Sequence, residues 1–321
     1  MEKKVLIIGA GIIGLYLAWK LSQKGNKVFL FEKKSREKIK DKACSTLVSE
    51  RIKNFIPLNE SIIENEISGC LINFPKKIVN LNFLPVHLIL NRGLLIVKLL
   101  NLAEESGAKI FFEKEAREFP KDFDRIIGCD GAMSFVRQAI FGRQVNFKLG
   151  IQVFLEEKDC SGFVQTWPTI SGFCWKIPRK NSVEYGILES HEKAMNLFLD
   201  FLEKNEIKNR VLRTNIKSAL IPQGLFLPDC DNITLCGDAA GLCKPWSGGG
   251  IIWGLTAADI LVEKFPDFKE YKKETEKFFQ PKILKGKISN NLVHFFGNKF
   301  PYIFPSKIDY DNDWGRVIKI R

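Results

Sequence analysis

Three glycines in the spacing GxGxxG, Gly9, Gly11 and Gly14, are the first residues of the chain whose types and spacing point to a chemistry, the holding of phosphate. Gly9 admits a tight turn, Gly11 lets a pyrophosphate reach the backbone, and Gly14 lets a helix lie close on a strand. The helix that opens there offers unpaired N–H groups and the positive end of its dipole. Glu32 follows 18 residues after Gly14. A carboxylate at that point accepts hydrogen bonds from ribose hydroxyls and repels a 2′-phosphate, which leaves FAD or NAD as the nucleotide.

A second constellation, CGDAAGLCKPWSGGGIIWG over residues 236–254, decides between the two. Gly237 and Asp238 end a short strand over 232–236. An aspartate there suits a ribityl hydroxyl, and Ala239, Ala240 and Gly241 leave room for a ligand. Gly248, Gly249 and Gly250 then open an apolar helix over 251–262, although glycine costs about 0.5–1 kcal/mol against alanine in a helix. Their N–H groups suit the N1–C2=O edge of an isoalloxazine, where negative charge collects on reduction. NAD has no such edge, so the reading is FAD. Tight packing of the glycines on a neighbouring helix is the structural alternative.

Two more stretches belong with these. Asp130 and Gly131 end a strand in IIGCDGAMSFVRQAIF, and Arg92 precedes a helix over 94–105. Arg92 offers a fork of donors to a pyrophosphate. A surface ion pair is the other reading of Arg92, and equally of Arg137 in the helix after Gly131.

These side chains need a strand–helix–strand frame to position them. Apolar runs at 5–8 and 28–31 read as central parallel strands around the first helix. The expected fold class is α/β: a Rossmann-like FAD-binding domain over 1–66, 85–145 and 210–265. A discontinuous antiparallel β-sheet substrate domain over 67–84 and 146–209 interrupts it, and a short helical segment over 266–321 ends it. Residues 191–204 read as an amphipathic helix, and 209–222 as the return to the first domain. The sheet strands carry Phe163, Trp167, Phe173, Trp175 and Tyr185. Such walls suit a greasy, elongated ligand, since each buried methylene is worth about 0.8 kcal/mol; the same rings also serve as the sheet's own core.

The chain has 321 residues and a formal net charge of +12, with basic residues spread along it and no dense block. That argues against nucleic acid and leaves an acidic protein partner or an anionic membrane surface. Eight cysteines without a CxxC pair and only three histidines argue against zinc and fit a reducing cytoplasm. The charged MEKK start is unlike a signal peptide, and no apolar run reaches membrane-spanning length. The basic, aromatic stretch after Glu263 suits either peripheral contact with an anionic membrane or a helical cap.

Taken in order, GxGxxG with Glu32, the Arg92-led helix, DGxxSxVR from Asp130 to Arg137, and GDAAG with the glycine-led helix resemble the flavoprotein monooxygenase-like superfamily of the p-hydroxybenzoate hydroxylase fold. CSTLVS over 44–49, FCWKIP over 173–178 followed by Tyr185-Gly186, and PWSGGGI over 245–251 are most similar to the geranylgeranyl reductases. These include archaeal enzymes that saturate the prenyl chains of membrane lipids. The resemblance implies FAD, a prenyl-lipid substrate, Cys44 beside the flavin, and Phe173, Trp175 and Pro178 near the substrate. A free thiol has a reference pKa of about 8.5 and stays protonated at neutral pH, so Cys44 can donate or relay a proton. Phe173 stands where the family has Tyr, Ile177 where it has Phe, and Glu184-Tyr185 where it has Asn-Val. No second dinucleotide fingerprint is visible, which with the positive charge points to a small acidic electron donor such as ferredoxin. GFCWKIP over 172–178 is also similar to the GWxWxIP of flavin-dependent halogenases, and neither Lys76 nor Lys77 is marked as their active lysine. A flavin monooxygenase or halogenase, and an electron-transfer flavoprotein, are the alternative readings.

Overall fold

The computed structural model describes residues 2–142, 145–211 and 216–320. Positions 143–144, at an expected domain boundary, and 212–215, within the expected return to the first domain, lie outside the described residues. The chain opens with β1 (Lys4–Ile8), α1 (Ile12–Gln23) and β2 (Lys27–Phe31), then leaves through β3 (Leu47–Ser49), β4 (Ile63–Phe74) and β5 (Lys77–Leu90). It returns with α2 (Arg92–Glu105), β6 (Lys109–Phe111), β7 (Arg125–Gly128) and α3 (Phe135–Phe141). A second excursion makes β8 (Phe147–Leu155), β9 (Phe163–Pro168), β10 (Phe173–Pro178) and β11 (Val183–Ser190). The helices α4 (His191–Lys204) and α5 (Lys208–Val211) and the strand β12 (Lys217–Pro222) complete it. β13 (Ile233–Leu235) and α6 (Ile251–Lys264) close the first domain, and α7 (Phe268–Lys299), β14 (Lys307–Asp311) and β15 (Arg316–Ile320) follow.

Five strands pair in parallel in the order β13-β7-β1-β2-β6. Val5, Leu6 and Ile7 of β1 are fully buried, as a central strand covered on both faces requires. Each such side chain contributes about 1.5–3 kcal/mol of burial. Gly9 turns the chain at φ +105°, and a Cβ on Gly14 would stand 1.9 Å from the Gly9 carbonyl oxygen. Any larger residue at 14 would lift α1 off the sheet.

The second sheet has ten strands, and it is mixed where an antiparallel one was expected. β4 runs parallel to β9, and β5 parallel to β14, because in each pair the chain re-enters after an excursion through other elements and not through a hairpin. β4 and β5 together also extend past the expected 67–84 at both ends. The amphipathic helix expected over 191–204 is α4, which packs Ala194, Phe198, Phe201 and Leu202 on the back of this sheet.

The expected helical C-terminal segment needs correction past Lys299. β14 docks on β5 and β15 on β14, so KIDYD and RVIKI cover a sheet edge that would otherwise stand open. Among the described residues no helix is long and apolar enough to cross a membrane.

Candidate active site

One cleft, at the carboxyl ends of the parallel strands, gathers residues that the sequence spreads over 240 positions. Gly11, Cys44, Arg92, Gly131, Asp238, Gly248, Gly249 and Gly250 all line it. The other expected cofactor residues lie just behind. Gly9 and Gly14 form the turn beneath. Glu32 caps β2, where its Oε2 accepts from the Ala10 N–H and its Oε1 from the Lys34 N–H, both at 2.8 Å. Asp130 Oδ2 accepts from the Val136 N–H at 3.2 Å, while Gly237 stands at φ +66° over the Ile13 side chain.

The glycine run at 248–250 has two reasons to be glycine. Gly248 takes φ +68°, and a Cβ on Gly249 would meet Lys244 Cε at 2.9 Å. One on Gly250 would stand 3.0 Å from Asp238 Oδ1 and 3.1 Å from Cys243 Sγ. The backbone is thus pressed against its neighbours on one side, as the packing reading of these glycines requires, and lines the cleft on the other.

The polar groups of the cleft fit a bound, polar, anionic ligand. Arg92 Nε and Asp130 Oδ1 are buried without a hydrogen-bond partner in the protein, which is costly for groups with no ligand to meet them. Burial raises the Asp130 carboxyl above its ordinary range. Asp238 differs. Burial works to raise its carboxyl, but the Lys42 ammonium, 2.9 Å away, outweighs that and holds it below the usual range. Arg137 is neither a surface ion pair nor a cleft residue. It is buried and donates to the carbonyls of Ala132 and, at 2.8 Å, Ala239, tying the Asp130 turn to the Asp238 turn.

Beside the cleft lies a cavity of about 1030 Å³, walled by the second sheet, α7 and the turn between β14 and β15. Ser45, Leu47, Trp175, Lys244, Ser247 and Gly249 line both spaces and form the partition. Strand alternation decides which β10 side chains reach the cavity. Phe173, Trp175 and Ile177 face it. Pro178 does not; it is buried at the strand's end, and its carbonyl accepts from Asn65 Nδ2 at 2.9 Å. The expectation of a substrate contact at Pro178 is therefore corrected. Trp167 and Tyr185 point to the opposite face and pack on Phe201 of α4, with ring centroids 5.1 and 6.5 Å apart. Phe163 lies against Gly69.

Trp175 is held by groups the sequence reading did not single out. Its Nε1 donates to Glu184 Oε1 at 3.0 Å, and Glu184 Oε2 accepts from Arg179 at 2.7 Å. Burial raises the Glu184 carboxyl, with Arg179 opposing. The same guanidinium donates to the Ser45 carbonyl at 2.8 Å, to that of Leu90 at 3.2 Å and to Glu64 at 2.8 Å. One arginine thus positions both Trp175 and the loop that carries Cys44. The available signal was a pair of charges around an otherwise apolar strand, with Glu184 noted only as a departure from the family pattern.

The cavity floor holds a second charged cluster. Lys244 Nζ lies 3.3 Å from Asp313 Oδ1, and Asp313 Oδ2 accepts from Ser49 and, at 2.9 Å, from Arg51. Burial lowers the Lys244 ammonium against the pull of Asp313. His87, beneath, is pushed down to about 3 by burial. Among the described residues no group of His, Cys, Asp and Glu could hold a metal ion.

Residues 7–36 match the family model described as an NAD(P)-binding Rossmann-like domain. The chain is 24% identical over 317 residues to digeranylgeranylglycerophospholipid reductase 1 of Methanosphaera stadtmanae, covering 85% of this chain and 78% of that one. It is 26% identical over 349 residues to kynurenine 3-monooxygenase of Christiangramia forsetii, covering 87% and 75%. Among solved structures, a geranylgeranyl bacteriochlorophyll reductase-like protein of Thermoplasma acidophilum superposes with a TM-score of 0.79 at 20% identity, covering 91% of this chain and 88% of that one. The dinucleotide turn, the cleft at the strand ends and these likenesses agree on an FAD-dependent oxidoreductase of the p-hydroxybenzoate hydroxylase fold, similar to the geranylgeranyl reductases.

Proposed function

We propose that the protein saturates carbon–carbon double bonds of an isoprenoid chain, such as a geranylgeranyl group of a lipid or its precursor. The observation that carries this reading is the apolar cavity opening on the cofactor cleft across Trp175 and Gly249. Its volume of about 1030 Å³ is at the upper end of the range of about 300–1,000 Å³ for small-molecule sites. That suits a long aliphatic substrate better than a single ring. The likeness to digeranylgeranylglycerophospholipid reductase points the same way.

Bound and reduced, FAD supplies the hydride for such a reduction. Asp238, Arg92 and the amides of Gly248–Gly250 hold and orient it, and Asp130 and Glu32 support the turns around it. Trp175 and Phe173 align the alkene and exclude water. Cys44, half-buried in the cleft, holds a proton at Sγ for the second alkene carbon. The +12 net charge favours a small acidic electron donor such as ferredoxin, whose attraction weakens as salt screens it.

The test is anaerobic. Chemically reduced protein mixed with a geranylgeranyl lipid yields product heavier by two hydrogens for each bond saturated. The likeness to kynurenine 3-monooxygenase supports a second reading, hydroxylation of an aromatic ring. That reading requires oxygen and yields product heavier by one oxygen atom. Untouched prenyl lipid together with an oxygenated aromatic product overturns the reductase reading.

A further inference from the structure

We propose that the outer face of α7, with the turn that follows it, is a docking surface for an anionic lipid bilayer. The inner face of this helix lines the apolar cavity through Lys282, Gly286, Ser289, Asn290 and Val293. On the opposite face Leu284, Ile288, Leu292 and Phe295 recur at steps of four, four and three, which places them in one stripe. They are 62%, 53%, 50% and 50% exposed. Past the helix end Phe300, Tyr302 and Ile303 are also exposed. Single exposed apolar residues are ordinary, but a continuous stripe of them marks a contact surface.

Charge decides what the contact is with. From residue 277 to residue 308 the chain carries six lysines and no acidic residue. Lys287 and Lys299 are exposed along the helix, Lys285 is exposed at the cavity's edge, and the Lys299 ammonium lies 4.6 Å from the centre of the Phe295 ring. A second copy of the chain would bring these cations against their own kind. A bilayer with anionic headgroups offers the stripe an apolar layer and the lysines their counter-charges at the right depth. Arg316 and Val317, exposed on the cavity's rim, lie on the same terminal part of the chain. The proposal concerns the surface alone and stands apart from the reductase reading, because its test involves no turnover.

The full chain with its FAD is floated with vesicles of equimolar phosphatidylglycerol and phosphatidylcholine, and separately with vesicles of phosphatidylcholine alone. The protein is expected to rise with the anionic vesicles and not with the neutral ones, and less so as salt is added. The triple variant Leu284→Glu, Ile288→Glu, Leu292→Glu is expected to lose at least about tenfold in the bound fraction while keeping its flavin absorbance; a tenfold loss corresponds to about 1.4 kcal/mol. A second variant off the helix, Tyr302→Glu with Ile303→Glu, tests the turn independently and is expected to weaken binding in the same direction. Equal flotation of wild type and both variants, or no flotation with anionic vesicles, overturns the proposal. So does a wild-type dimer that the triple variant dissolves without any vesicle binding, which would assign the face to a second copy.

Discussion

The indole Nε1 of Trp175 donates to the fully buried carboxylate of Glu184 at 3.0 Å, and that carboxylate is also the partner of Arg179. A side chain on the cavity wall is therefore fixed from behind by an ion pair out of reach of water. Glu184→Ala is expected to destabilise the fold by up to about 3–5 kcal/mol, because it takes from the buried Arg179 one of its two carboxylates and from the Trp175 indole its acceptor. Glu184→Gln keeps an acceptor for the indole, and Arg179 keeps Glu64, so a smaller loss is expected. Denaturant unfolding of the two variants checks the order; equal losses would show that the effect lies in the carboxylate's charge and that the indole's acceptor adds nothing.

On the proposed reading, cofactor retention is expected to depend on the partnered and unpartnered groups of the cleft. Asp238→Ala and Arg92→Leu are each expected to weaken FAD binding about ten- to a hundredfold, the scale of a lost hydrogen bond to a charged group. Flavin fluorescence during titration of the stripped protein measures this. Arg137→Leu is expected to act differently, lowering thermal stability, since it ties two backbone turns together and does not line the cleft.

Saturation of the alkene is expected to separate Cys44, which lines the cleft, from Trp175 at the partition. Cys44→Ser should slow turnover by about a hundredfold or more, the lower bound for a positioned general acid, with flavin content unchanged. Trp175→Ala should raise KM for the prenyl lipid more than it lowers kcat. Single-turnover flavin reoxidation by substrate without oxygen distinguishes these outcomes, and an unaltered rate in Cys44→Ser would remove the thiol from the mechanism.

His87 gives the fold a pH signature. Its Nδ1 lies 3.2 Å from the Pro85 carbonyl and its Nε2 accepts from Asn312 at 3.2 Å, which fixes a neutral ring. The folded pKa of about 3 lies below the unfolded value of about 6.5. The unfolded chain therefore binds the extra proton between these values, and stability falls as pH drops through that window. The slope from this one group is about 1.4 kcal/mol per pH unit. His87→Gln is expected to flatten that component, so the difference in unfolding free energy between wild type and variant should change with pH from 6.5 towards 3 and stay constant above 7. A constant difference throughout would show that the ring takes up its proton in the fold as it does in the unfolded chain.

The parts of this molecule legible in the sequence are those whose physics is local. The turn at Gly9–Gly14 works through backbone geometry over a few residues, and β10 shows its two faces through simple alternation, so Phe173 and Trp175 could be placed on a wall from spacing and resemblance. Alternation also argues against Pro178, five residues after Phe173 and hence on the other face, but the family motif outweighed it. Lys42 meets Asp238 across 196 residues, and Ser49 meets Asp313 across 264. No local pattern announces such pairs. The mixed character of the second sheet was hidden for the same reason, since strand direction follows from where the chain has been between strands.

Asp313 lies far along the chain, yet it pairs with Lys244, which lines the cavity, and with Arg51 behind it. The order of synthesis therefore matters. A ribosome that has released the dinucleotide turn, the cleft and most of the second sheet still holds the residue that completes the floor. Until it emerges, the nascent protein has two cations without this carboxylate and an uncovered strand edge at β5. The first domain has its strands and helices in place by residue 264, before roughly half of the cavity's wall exists. The cleft is thus built first and the cavity last.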